Sequence, residues 1–217
     1  MARDLDNLQR AILGMAGAVE EALHVAVRSL RDRDPVAARA CVAGDAVVDR
    51  LENEVQEECL KILALHQPVA GDLRRVSAVL LISTDLERIG DLAVGIAERA
   101  LQLARPPLVP VPDRLGEMAA RAIRMVRQSL DAFVARDAAA ARAVIREDDA
   151  VDRDAADIIR GLIAAMKEPG GAVEAGLSLF SAVRHVERIA DHATNVAEDV
   201  VYLVEGDVVR HKAAGGP

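Results

Sequence analysis

Apolar residues recur at steps of three and four along almost the whole chain, which keeps one stripe of a helix facing inward. Six such stretches, separated by short breaks, predict helices at residues 5–30, 35–66, 70–103, 114–135, 138–166 and 173–205. No alternating pattern typical of strands competes with them. At the first break Asp34 is placed as an N-cap with Pro35 at the first helical position, and Pro68 closes the next turn.

The second half of the sequence repeats the first. Seven of the twelve positions in 87–98 are identical in 187–198, and ten of the eighteen in 33–50 are identical in 136–153. Unrelated sequences would match at about one or two positions, so the chain is a tandem duplication. The spacing is 103 residues in the early segments and 100 in the late ones, so three residues have been lost from the second copy.

The duplication and the breaks together predict the architecture. We expect an all-α fold of two tandem antiparallel three-helix bundles, related by an approximate twofold axis. The first bundle is assigned to residues 1–105 and the second to 114–206. The proline-rich residues 106–113 between them are expected to form an extended linker, and residues 207–217, with little apolar content, are expected to fray.

Composition and charge argue against several functions. The 217 residues have a formal net charge of -8, one Tyr, two Phe and no Trp, so neither a basic patch nor stacking aromatics favour nucleic-acid binding. No apolar signal segment opens the chain and no run approaches the roughly 18–20 apolar residues that span a bilayer, so we expect a soluble cytoplasmic protein. Cys41 and Cys59 lie within helical patterns and are interpreted as reduced core thiols.

Pairs of carboxylates four residues apart recur in both halves. Such pairs are neighbours on one helix face and repel unless a cation compensates them. All-oxygen ligation suits a hard cation such as iron(III), manganese or magnesium. We therefore predict a metal site between helices 2 and 3 and another between helices 5 and 6. The predicted ligands are Asp45, Asp49, Glu87 and Asp91 in the first half, and Asp148, Asp152, Glu187 and Asp191 in the second.

Two alternatives remain open. In the first, the protein is a metal-free helical adaptor whose acids form a solvated face, neutralised by Arg50, Arg88, Arg153 and Arg188. In the second, it is a ferritin-like di-iron enzyme, which needs Glu-x-x-His on two helices. Only Glu21 and His24 have that spacing, and neither residue type recurs at 124–127. Because phosphate-loop and nucleophile motifs are also missing, we expect no enzyme. His192 is interpreted as a surface or capping residue.

Several segments closely resemble the PhoU family, namely PVAGDLRRV at 68–76, STDLERIGD at 83–91, and HVERIADHATNVAE at 185–198 followed by VYLVEG at 201–206. The resemblance covers nearly the whole chain. It implies two three-helix bundles, often dimeric, in a negative regulator of the phosphate-starvation response and of phosphate uptake. The implied partners are the ATPase of the phosphate ABC transporter and a sensor histidine kinase, and the membrane is approached only through them.

Some PhoU proteins carry iron or other metal clusters on acid-x-x-x-Asp motifs, and the resemblance maps these motifs onto the eight acids named above. Two positions depart from the family pattern. Gly95 stands where the second copy has Asn195, and Ala190 replaces the usual glycine. A cluster in the first half is therefore expected to be weaker or differently coordinated than one in the second.

Overall fold

The computed structural model describes residues 1–105, 109–168 and 170–206, and within these ranges the chain is helical with no strand. The predicted helices are confirmed, with ends displaced by less than one turn. They are α1 (Ala2–Asp32), α2 (Pro35–His66), α3 (Ala70–Leu103), α4 (Asp113–Ala135), α5 (Ala138–Lys167) and α6 (Val173–Glu205). The predicted frayed tail and linker residues 106–108 lie outside the described residues, and the limits assigned to each bundle stay a prediction.

The second helix of each bundle begins with the same N-cap, at equivalent positions of the two repeats. The carboxylate of Asp34 accepts hydrogen bonds from the backbone amides of Val36 and Ala37 at 2.9 and 3.1 Å. Asp137 caps α5 with the same two bonds, at 2.9 and 3.0 Å. The arginine before each cap has φ of 52°, in the left-handed region, so the chain reverses there without a glycine. The duplication therefore extends to the detail of its turns.

The helices form two antiparallel three-helix bundles that share one aliphatic core. Each bundle packs its three helices against one another, and α3 and α6 join the bundles through the most extensive helix pair of the fold. Fully buried alanines on these two helices let the backbones approach closely, as the aliphatic composition predicts: Ala93, Ala97, Ala190, Ala193 and Ala197. Cys41 and Cys59 are buried free thiols, as predicted.

Among the described residues, no helix combines the length and the apolar character that crossing a bilayer requires.

A polar cluster lies within the α3–α6 interface. Asp85 of α3 is buried and hydrogen-bonds through Oδ1 to His192 Nδ1 at 2.7 Å and to Asn195 Nδ2 at 3.1 Å, both on α6. The interpretation of His192 as a surface or capping residue is therefore wrong, because the side chain is half-buried and joins the bundles. A sequence pattern gives no direct sign of a contact between residues 107 positions apart.

The interface position related to this cluster by the internal twofold has different chemistry. There His185 of α6 lies over Gly95 of α3, and a Cβ added to Gly95 would lie 2.9 Å from His185 Nε2. Leu92 stands at the position that corresponds to His192. The two halves of one symmetric interface are thus polar at one end and closely packed around a glycine at the other.

Candidate metal centre

Three of the acids predicted for the second half converge between α5 and α6. Asp148 and Asp152 lie one turn apart on α5, and Asp191 faces them from α6. One carboxylate oxygen from each lies within 4.8 Å of the other two, the only such group of three or more potential ligands in the described chain. Asp148 is half-buried at the bottom of the group, while Asp152 and Asp191 are exposed. The spacing of four on one helix and the close α5–α6 packing together produce this arrangement.

The electrostatics of this acidic group are unfavourable without a cation. Burial, together with the negative charges of Asp191 and Asp152, raises the pKa of Asp148 to about 7. Burial also raises the pKa of Asp191, and the charge of Asp152 adds to the effect. Asp148 Oδ1 is buried without a hydrogen-bond donor. A buried acceptor left unsatisfied costs about 1–3 kcal/mol, so a cation bound among the three carboxylates would relieve both problems.

Glu187, the fourth ligand predicted for this half, is engaged by an arginine on its own helix. Arg184 Nη1 donates to Glu187 Oε2, one turn away on α6. Burial raises the pKa of Glu187, and the charge of Arg184 opposes that rise. Glu187 lies outside the group of three, although its charge still raises the pKa of Asp148. Arg184 is not among the predicted site residues, although its spacing of three from Glu187 indicates this ion pair.

The acids of the first half also lie near one another, but they form a looser cluster. Burial raises the pKa of Asp45, and the charges of Asp49 and Asp91 add to it. Burial likewise raises the pKa of Glu87, with Asp91 the next contributor. These effects show that α2 and α3 bring the four predicted residues together. In contrast to the α5–α6 group, the described part of the first half holds no three potential ligands within 4.8 Å.

An arginine already supplies positive charge to the first-half acids. Arg88 Nε lies 3.4 Å from Glu87 Oε2, and its Nη1 lies 3.5 Å from Asp91 Oδ2. This is the neutralisation that the solvated-face alternative predicts for Arg88. Arg50, by contrast, lies 3.9 Å from Glu54, which was not among the predicted ligands. The donor set and the unsatisfied Asp148 oxygen therefore fit a hard cation in the second half better than in the first.

Comparison with known proteins shows what the chain is similar to. The family model of the PhoU domain matches residues 12–100 and again residues 115–200. The chain is 38% identical over 209 residues to the phosphate-specific transport system accessory protein PhoU homolog of Pseudomonas aeruginosa, covering 96% of this chain and 86% of that protein. It is 37% identical over 211 residues to the corresponding homolog of Aquifex aeolicus, with 97% and 95% covered.

Solved structures agree with the sequence relatives. The crystal structure of PhoU from Pseudomonas aeruginosa has a TM-score of 0.92 and 37% identity, covering 95% of this chain and 99% of that one. The phosphate transport system regulatory protein PhoU from Streptococcus pneumoniae has a TM-score of 0.91 and 28% identity, covering 96% and 98%. Fold and sequence similarity thus extend over both bundles.

Proposed function

The chain belongs to the PhoU family, and from this premise we propose that it is a negative regulator of the phosphate-starvation response and of phosphate uptake. The observation that carries the proposal is the match of two PhoU domains over both bundles, with relatives whose names assign them to the phosphate-specific transport system. A solved relative is described as a regulatory protein of that system. In this role the chain is an adaptor, not an enzyme, and its working surfaces bind proteins.

The proposed partners are the transporter ATPase and a sensor histidine kinase, which the adaptor couples when phosphate is plentiful. A homodimer acting in the cytoplasm suits this role, with membrane contact only through the partners. The net charge of -8 supports docking to basic segments of such partners. Complementary charge sets association rate and register more than it sets affinity.

We also propose that a hard cation binds the second-half group of Asp148, Asp152 and Asp191, with Glu187 beside it. Iron(III), manganese and magnesium have the required preference for oxygen ligands. When bound, the cation supplies positive charge that neutralises the carboxylates. Asp148 and Asp152 hold it from α5 and Asp191 from α6, so ligation ties the two helices together at that level. Asp45, Asp49, Glu87 and Asp91 form the proposed second, weaker site.

A deletion strain carrying a reporter of a phosphate-starvation gene tests the regulatory role. Loss of the protein should leave the reporter on in phosphate-rich medium, and the wild-type gene supplied in trans should turn it off. Reporter expression that stays low in the deletion strain would contradict the proposal. Complementation with Asp148→Asn/Asp152→Asn/Asp191→Asn then shows whether the acidic group contributes to repression.

The metal-free adaptor remains a second candidate, favoured by the contacts of Arg88 with Glu87 and Asp91. The two candidates differ in the metal content of the purified chain. After loading with iron or manganese and exhaustive dialysis, a metal-free adaptor retains no stoichiometric metal. Its repression in the reporter strain should also survive substitution of the acids that form the α5–α6 group.

A further inference from the structure

An open groove runs along the first bundle between α1 and α2, with α3 at its base. Its volume is about 290 Å³, and its lining is mostly small and apolar, with Ala18 and Ala22 of α1 facing Cys41 and Gly44 of α2. A Cβ added to Gly44 would meet no atom within 4 Å. The groove is therefore an open cavity between the helices, large enough to accept side chains from another molecule.

The second bundle has an ion pair at the position that corresponds to the groove. Ala18 and Gly44 correspond to Arg121 and Glu147 at the repeat spacing of 103 residues. Arg121 Nη1 donates to Glu147 Oε1 at 2.5 Å, and its Nε lies 3.6 Å from Asp154 Oδ2. The long side chains of this pair stand where the first bundle has alanine and glycine. The groove is thus a specific difference between the two copies.

The charge of the groove indicates what would bind there. Its lining, which lies wholly within the described chain, includes Glu21 and Asp45 and no basic residue. Asp45 also belongs to the loose acidic cluster, where the negative charges of Asp49 and Asp91 act on it. Negative charge is therefore concentrated at one end of the apolar groove. Complementarity calls for an occupant with aliphatic side chains flanked by cationic ones.

The length of the groove matches a short helix. It extends over residues 18–25 of α1 and 40–48 of α2, which is roughly 10–12 Å at 1.5 Å per residue. Residues i and i+7 of a helix lie about the same distance apart, and such residues are the anchors of helices that bind in grooves. The volume is at the low end of the roughly 300–1,000 Å³ of small-molecule sites.

We propose that this groove of the first bundle docks a basic amphipathic helix of a partner protein, with aliphatic anchors against Ala18, Ala22 and Cys41 and Lys or Arg at Glu21 and Asp45. The inference rests on the adaptor role proposed above and names a surface for it. It also gives the two halves different roles, because the second bundle has the tighter acidic group, and an ion pair in place of Ala18 and Gly44.

Peptide binding to the full chain tests the proposal. The probes are fluorescein-labelled peptides of about 20 residues, tiled over the cytoplasmic segments of the sensor kinase and the transporter ATPase from the same genome, and anisotropy reports binding. At least one basic amphipathic peptide should bind the wild type. Ala18→Arg/Gly44→Glu, which copies the ion pair of the second bundle, should weaken that binding at least about tenfold.

Two further variants keep the test decisive. Gly14→Arg/Ala43→Glu introduces the same two residues, Arg on α1 and Glu on α2, at exposed positions outside the groove, and should bind within about twofold of wild type. Val47 lines the groove and is 40% exposed, so Val47→Lys places a cation there without disturbing the core. It should weaken binding about fivefold or more even if the filled variant folds poorly.

Several outcomes would overturn the groove assignment. The first is peptide binding that neither groove variant weakens, and the second is that no tiled peptide binds at all. The third is that a wild-type oligomer dissociates in Ala18→Arg/Gly44→Glu, because the occupant of the groove would then be a second copy of the chain. A small amphiphile found on purified wild type and lost from that variant would do the same. The proposed function is tested separately, by the reporter strain and by the metal content of the α5–α6 group.

Discussion

Asp85 of α3 and His192 of α6 share a hydrogen bond of 2.7 Å that joins the two bundles inside their interface. Asp85 is only 8% exposed, so its carboxylate depends on protein donors, among them the two that α6 supplies. The equivalent position at the other end of the interface has His185 over Gly95 instead. This polar contact makes the packing of the two bundles sensitive to single substitutions.

Replacing His192 by leucine, the residue at the equivalent position 92, should destabilise the chain by about 1–3 kcal/mol because a buried carboxylate loses one of its hydrogen-bond partners. Urea unfolding of the full chain measures the change. The double variant Asp85→Leu/His192→Leu removes the carboxylate together with the imidazole and should recover part of the loss, although Asn195 then loses its acceptor. A double variant whose loss equals the sum of the two single losses would show that the pair is not coupled.

Metal binding should distinguish the two acidic clusters. Asp191→Asn should weaken Mn²⁺ binding at least tenfold, since even outer partners of metal ligands are worth about 10–100-fold. Asp91→Asn, the matched change in the first half, should leave the tighter site intact because Asp91 is not one of its three acids and lies beside Arg88 instead. Calorimetric titration and the metal retained after dialysis report the difference. Equal loss in the two variants would contradict the assignment to the second half.

The metal-free chain should lose stability as the pH rises through neutrality. Asp148 has its pKa raised from 3.8 to about 7, so this group favours the folded state fully below about pH 4 and loses that contribution as the pH passes about 7. In chelator at pH 8, Asp148→Asn should therefore raise the free energy of unfolding by on the order of 1–3 kcal/mol, with solvent screening allowed for.

The control for this prediction lies on the same helix. Asp149 is exposed and its charge is a lesser cause of the raised pKa of Asp148, so Asp149→Asn should give a much smaller gain at pH 8. At pH 4 the carboxyl group of Asp148 keeps its proton in the folded state and is already partly protonated in the unfolded state, so Asp148→Asn should give no comparable gain. Thermal melts at the two pH values supply the measurement, at about 2–4 °C per kcal/mol for a chain of this size. An equal gain at both pH values would point to a cause other than titration.

Gly95 should respond to alanine differently from other helical glycines. Gly17 on α1 has open space around it, so Gly17→Ala should stabilise the chain by about 0.5–1 kcal/mol through helix propensity. At Gly95 the new Cβ would lie 2.9 Å from His185 Nε2, so the imidazole must move and the gain should disappear. In a His185→Ala background the gain should return. If Gly95→Ala stabilises the chain as much as Gly17→Ala does, the close approach of His185 does not oppose the stabilisation by alanine.

The helices and their arrangement could be predicted because their causes are local and repeated. The spacing of apolar residues sets each helix, and Asp34 and Asp137 start the second helix of each bundle. The internal repeat predicts two equivalent bundles. The sequence could also place four acids between α2 and α3 and four between α5 and α6, because residues four apart share a helix face.

What could not be predicted depends on contacts between distant residues and on the length of side chains. The Asp85–His192 bond joins different bundles, and the tighter spacing of the α5–α6 acids depends on how closely two helices approach. These features are marked by positions at which the two copies differ rather than by positions at which they are identical. Positions 92 and 192, and 44 and 147, differ in polarity or size, and each difference marks a feature that only one half possesses.

The unequal ends of the α3–α6 interface bear on how a duplicated chain evolves. Two identical three-helix units could pair only with the same contacts at both ends of a symmetric interface. In a pair of first units, Asp85 would face Leu92 and Gly95, which offer no side-chain donor, and in a pair of second units His185 would meet His192 and Asn195. Joining the copies in one chain removed that constraint, and each half has since become specific for the other.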